Sequence, residues 1–167
     1  MLQDLPGIWK LPLISLFDLN IFTFSETSLS PFCNYYQLTL YKMDRRVIIV
    51  EDEDNVRETL ELLLTNAGFK VQSSATGANI FNTIHDFNPD IILLDVILDN
   101  LDGRDICRSI KDDPTTRHIP VIMLSGVPDV YNAILDVGAN DVVAKPFDEM
   151  TLLSRIERQL SNSNVQL

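Results

Sequence analysis

Soft-metal and disulfide chemistry has little to work with in this sequence. Among 167 residues there are two cysteines, Cys33 and Cys107, and two histidines, His85 and His118. The cysteines are far from C-x-x-C spacing, which argues against a zinc site and against a disulfide framework. Such usage fits a reducing cytoplasm. Basic residues are also scarce, 13 Lys and Arg against 24 Asp and Glu, a net charge of −11. Nucleic-acid binding draws on clustered cations, so direct contact with nucleic acid is not expected. No apolar run reaches the roughly 18 residues of a membrane span. The stretch "LPLISLFDLNIFTF" is broken by Asp18 and Asn20 and precedes no small-residue cleavage site. It reads as neither signal peptide nor anchor.

What is present divides at Met43. Residues 1–43 carry Pro6, Pro12, Pro31 and scattered aromatics, with no helical or strand period. They read as an N-terminal extension without fixed structure, or as a mis-assigned start. From Arg46 onward, short apolar runs alternate with amphipathic stretches. The expected strands are 47–50, 69–73, 90–95, 120–125 and 141–145. Between them, Val56, Leu60, Leu63, Leu64 and Ala67 draw one helical stripe, with Asp54 as its cap and Gly68 closing it. Phe81, Ile84 and Phe87 mark a second helix. Ile106, Cys107 and Ile110 mark a third, in which Cys107 is a small core side chain. Val130, Ala133, Ile134 and Val137, ended by Gly138, mark a fourth. Leu152, Leu153, Ile156 and Leu160 mark the last, capped by Asp148. His85 and His118 fall on polar surface.

Strands joined by helical crossovers build a parallel sheet with right-handed connections. The fold class is therefore α/β, a doubly wound five-stranded parallel sheet. Ligands of such sheets lie at the carboxyl ends of the strands. There the chain carries Glu51 and Asp52 after the first strand and Asp95 after the third. Ser125 and Gly126 end the fourth, and Lys145 and Pro146 the fifth. Three carboxylates together repel unless a cation sits among them. Lys145 supplies one charge, and Mg²⁺, an oxygen-seeking ion that binds phosphate, would supply two. The set suits phosphoryl chemistry, with Asp95 as nucleophile.

The segments "VIIVEDE", "IILLDVILDNLDG", "IPVIMLSG" and "GANDVVAKPF", in that order, resemble the receiver domain of two-component response regulators. The resemblance implies a flavodoxin-like (βα)5 fold of strand order 2-1-3-4-5, covering residues 44–164 with a short tail at 165–167. It implies phosphoryl transfer to Asp95 from a histidine kinase or phosphotransfer protein. Mg²⁺ would be held by Glu51, Asp52, Asp95 and the main-chain carbonyl of Ile97. Ser125, Gly126 and Lys145 would bind the phosphoryl group, the Lys145–Pro146 bond would be cis, and Ile97 and Val127 would tune the lifetime of the phosphorylated state. Output would come from binding another, unknown protein through a face that includes Tyr131, Val142 and Met150, and phosphorylation could bring two copies together. Only "SNSNVQL" follows Leu160, too short for an output domain, so the expectation is a single-domain regulator. The alternative is an aspartate-nucleophile phosphatase of small molecules, which would want an inserted cap. Two positions depart from the family: Asp99 stands where proline is usual, and Val142 where an aromatic is usual.

Overall fold

The computed structural model describes residues 44–99, 101–126 and 136–163. The expectations for residues 1–43, for Val127, Val130, Tyr131, Ala133 and Ile134, and for the tail lie outside these residues. The elements run β1 (Arg46–Val50), α1 (Asp54–Asn66), β2 (Lys70–Ser74), α2 (Ile80–Phe87), β3 (Ile91–Asp95), α3 (Gly103–Asp112), β4 (Val121–Ser125), β5 (Asp141–Ala144) and α4 (Glu149–Ser163). The five strands form one parallel sheet in the order β2-β1-β3-β4-β5. Between β3 and α3, Ile97–Leu98 pairs antiparallel with Leu101–Asp102 in a two-residue ladder.

Alternate residues of each central strand enter opposite cores, as side-chain direction in a strand requires. Ile48, Val50, Ile92, Leu94, Val121 and Met123 pack with Ile80 and Ile84 of α2 and with Cys107 and Ile110 of α3. Val47, Ile49, Ile91, Leu93, Ile122 and Leu124 pack on the other face with Leu60 and Leu64 of α1 and with Leu152, Ile156 and Leu160 of α4. Helices thus cover both faces, which is why β3 and β4 are apolar almost throughout and buried at every position.

The helix ends follow local chemistry. After α1, Gly68 takes φ +93°, its N–H donates to the Thr65 carbonyl, and the Phe69 N–H donates to the Leu64 carbonyl. This is the six-to-one closure that a left-handed glycine permits, and Phe69 and Leu64 share a core beneath it. Asp148 caps α4, accepting both the backbone N–H of Thr151 at 2.9 Å and its hydroxyl at 2.6 Å. Two sequence expectations are corrected. Asp54 is inside α1, where its carboxylate pairs with Arg57; Glu53 is the cap residue, and its side chain makes no capping bond. Phe81 is 40% exposed, and Ile80 takes its place in the core. Ile84 and Phe87 face the core as expected. Phe81 alone is displaced, because the adjacent Ile80, four residues before Ile84, and Phe81, three before it, both suit one helical stripe.

Candidate functional site

The carboxyl ends of β1, β3, β4 and β5 meet on one rim. β1 runs directly into Glu51, whose N–H still pairs with the Ser74 carbonyl of β2 at 3.1 Å, so the ladder carries this carboxylate into the interior. Glu51 is 1% exposed and Asp95, the last residue of β3, is 6% exposed. Lys145 bridges them: its Nζ lies 2.6 Å from Glu51 Oε2 and 2.8 Å from Asp95 Oδ2. Ser125, buried at the end of β4, accepts the Lys145 N–H on its carbonyl at 2.7 Å. The Lys145–Pro146 bond is cis. Gly126 follows and is exposed; among the described residues, its chain neighbours aside, no atom lies within 4 Å of where a Cβ would stand.

Asp52 completes the acidic set. One carboxylate oxygen from each of Glu51, Asp52 and Asp95 lies within 4.8 Å of the others. Three negative charges against one positive leave a local deficit of two. Burial pushes the Glu51 carboxyl above its ordinary range, against the hydrogen bond from Lys145, and the charge of Asp95 adds to the rise. Burial works against the Lys145 ammonium too, but its bonds to Asp95 and Glu51 prevail and hold it above the usual lysine value. An octahedral Mg²⁺ places its ligand oxygens about 2.1 Å from the ion, hence no more than about 4.2 Å apart. The three oxygens, within 4.8 Å of one another, stand a few tenths of an ångström wider than that limit at most, and an all-oxygen carboxylate set is the donor chemistry Mg²⁺ takes, so these residues fit the ion.

Three features lay outside the expectations drawn from the residues. The backbone N–H of Asp99 donates to Asp52 Oδ2 at 3.0 Å. A proline at that position has no N–H to give. Arg57 of α1 reaches back beneath the turn, its Nη1 2.9 Å from the Glu51 carbonyl and 3.4 Å from that of Asp52. At Gly103 an added Cβ would stand 1.9 Å from the main-chain oxygen of Asp95. Only the sequence spacing hinted at these: an Arg one turn into the helix that follows the acids, and a glycine opening a helix. Ile97 is 62% exposed, with its N–H 3.3 Å from Asp95 Oδ1. Val142 is buried against the α2 and α3 side of the sheet. His85 and His118 are exposed, as expected.

A family model for the response regulator receiver domain matches residues 47–157. The chain belongs to the response regulator receiver family. A transcriptional regulatory protein, CseB of Streptomyces coelicolor, is 42% identical over 116 residues, which cover 68% of this chain and 48% of that protein. The receiver therefore spans about half the length of that relative. A putative response regulator from Chloroflexus aurantiacus superposes with a TM-score of 0.66 at 35% identity, covering 70% of this chain and 98% of the other. The receiver domain of a sensor histidine kinase from Pseudomonas aeruginosa, solved with a magnesium ion in its active-site cleft, gives a TM-score of 0.64 at 28% identity, covering 70% and 98%. Among the described residues no helix is long and apolar enough to cross a membrane.

Proposed function

We propose that this receiver takes a phosphoryl group onto Asp95 from the phosphohistidine of a histidine kinase or phosphotransfer protein in the cytoplasm. The observation that carries the reading is the Lys145 bridge between Glu51 and Asp95, with Asp52 alongside. A carboxylate oxygen of Asp95 attacks phosphorus, the phosphorus–nitrogen bond breaks and the imidazole leaves. Glu51, Asp52, Asp95 and the Ile97 carbonyl would hold Mg²⁺, which when bound neutralises charge on the phosphoryl oxygens. Lys145 adds a fixed positive charge, and Ser125 and Gly126 face the incoming group from the neighbouring strand end. The Ile97 N–H lies 3.3 Å from Asp95 Oδ1 and its side chain is exposed at that end of β3, which supports a role in the lifetime of the phosphorylated state. Signal output is a contact with a downstream protein, or with a second copy of the chain.

The test uses acetyl phosphate with Mg²⁺ and intact-mass spectrometry. Wild type gains one phosphoryl group, while Asp95→Asn and EDTA-treated wild type gain none. Equal labelling of Asp95→Asn overturns the assignment. Turnover of assorted phosphoesters without a stable adduct would instead favour a phosphatase.

A further inference from the structure

We propose that Arg57 is a positioning residue for the acidic site, holding the turn that aims Glu51 and Asp52 at Asp95. The inference rests on the reading of that site as a Mg²⁺-dependent phosphoacceptor. Both acids stand on one short turn between β1 and α1, just past the ladder bond from the Glu51 N–H to the Ser74 carbonyl. The Arg57 guanidinium takes both, at 2.9 Å and 3.4 Å, and its other arm pairs with Asp54 in the first turn of α1. Its side chain is only 16% exposed, and its two bonds to the carbonyls are part-buried, while the pair with Asp54 faces water. The planar fork reaches two carbonyls and a carboxylate together, which a lysine ammonium on its flexible stem does not match. The Arg57 side chain binds the ligand-bearing residues through their main-chain carbonyls and not through their carboxylates.

Charge and position predict opposite results, which makes the proposal testable. If Arg57 acted only as a nearby positive charge, removing it would tighten the binding of a cation. If it positions the turn, removing it loosens binding, by analogy with the roughly tenfold losses that follow removal of outer-sphere partners of metal ligands. Mg²⁺ binding to the full chain is measured by calorimetry, and the Mg²⁺ dependence of labelling by acetyl phosphate is followed in parallel. The variants are Arg57→Gln and Arg57→Lys. The expected result is a Kd for Mg²⁺ raised about tenfold in Arg57→Gln and less in Arg57→Lys. Labelling should approach the wild-type rate at saturating Mg²⁺. Equal or tighter binding in a variant with a native melting transition overturns the proposal while leaving the phosphoacceptor reading intact. If Arg57→Gln does not fold, unchanged binding by Arg57→Lys overturns it equally. Wild type that binds no Mg²⁺ and takes no phosphate overturns the underlying reading, and the proposal with it.

Discussion

Glu51 shows how one residue can be a liability to the fold and an asset to the site. Its carboxyl is buried and its pKa raised, so the folded chain binds a proton there more readily than the unfolded chain. Stability from this group is therefore lost as pH rises from the ordinary value of 4.5 through the raised one. Lys145 has a consequence of the same sign at the far end of the scale. Its raised pKa gives stability that is present below the ordinary lysine value and lost only at higher pH. Above the ordinary carboxylate value and below the ordinary lysine value, the changing contribution of the pair is thus that of Glu51. In metal-free buffer, Glu51→Gln should melt closest to wild type at pH below the ordinary value of 4.5, where the Glu is protonated in the folded and the unfolded chain alike. It should then melt progressively higher than wild type as the pH rises. Added Mg²⁺ should reverse the order, since ligand bound to the folded state alone stabilises it. Melts at several pH values with and without Mg²⁺ decide this; a gap that does not move with pH contradicts it.

At the scale of elements, the crossing of β3 and α3 is the tightest constraint near the site. The chain leaves Asp95, makes the short Ile97–Leu98 and Leu101–Asp102 ladder, and returns so that the Gly103 N–H donates to the Val96 carbonyl at 2.9 Å. Asp102 caps α3 by accepting the Arg104 N–H at 2.9 Å, and a side-chain pair with Arg104 holds its carboxyl below the usual range. With the cap and the returning strand both fixed, α3 cannot back away from Asp95. Gly103→Ala should therefore cost about 3 kcal/mol, at the upper end of overpacking penalties, and slow phosphorylation of Asp95. Denaturant unfolding and the labelling rate check the two parts; a loss below about 1 kcal/mol would show that the loop relaxes. Sequence reading reached the strand ends because a strand covered on both faces must be apolar, and the polar residue that ends such a run stands out. It missed Gly103, Arg57 and the Asp99 N–H because these act through main-chain contacts between segments distant in sequence or set by a turn. It misplaced Phe81 because Ile80 and Phe81 are adjacent and both stand at helical spacing from Ile84, which does lie in the core. Asp54 misled for a related reason: a residue type suited to capping had a nearer partner in Arg57.

For the whole molecule, both faces of the sheet are closed by residues between Val47 and Leu160. Each core is completed by helices on its own side, and about 120 residues are enough to bury a core of this kind. Electrostatics points the same way. Residues 1–42 hold two Lys and three acids, so their removal changes the net charge of −11 by only one unit. The acidic site would keep its field, since Glu51, Asp52, Asp95 and Lys145 all remain. A chain beginning at Met43 should therefore fold with a melting midpoint within about 4 °C of the full chain, the shift expected for roughly 1 kcal/mol in a domain of this size. It should also take up phosphate from acetyl phosphate at the same rate and the same Mg²⁺ concentration. Paired melts and labelling time courses test both halves of the expectation. A lower midpoint with unchanged labelling would make residues 1–42 part of the fold away from the site. A changed Mg²⁺ dependence at an unchanged midpoint would place them instead at the rim where Asp95 reacts.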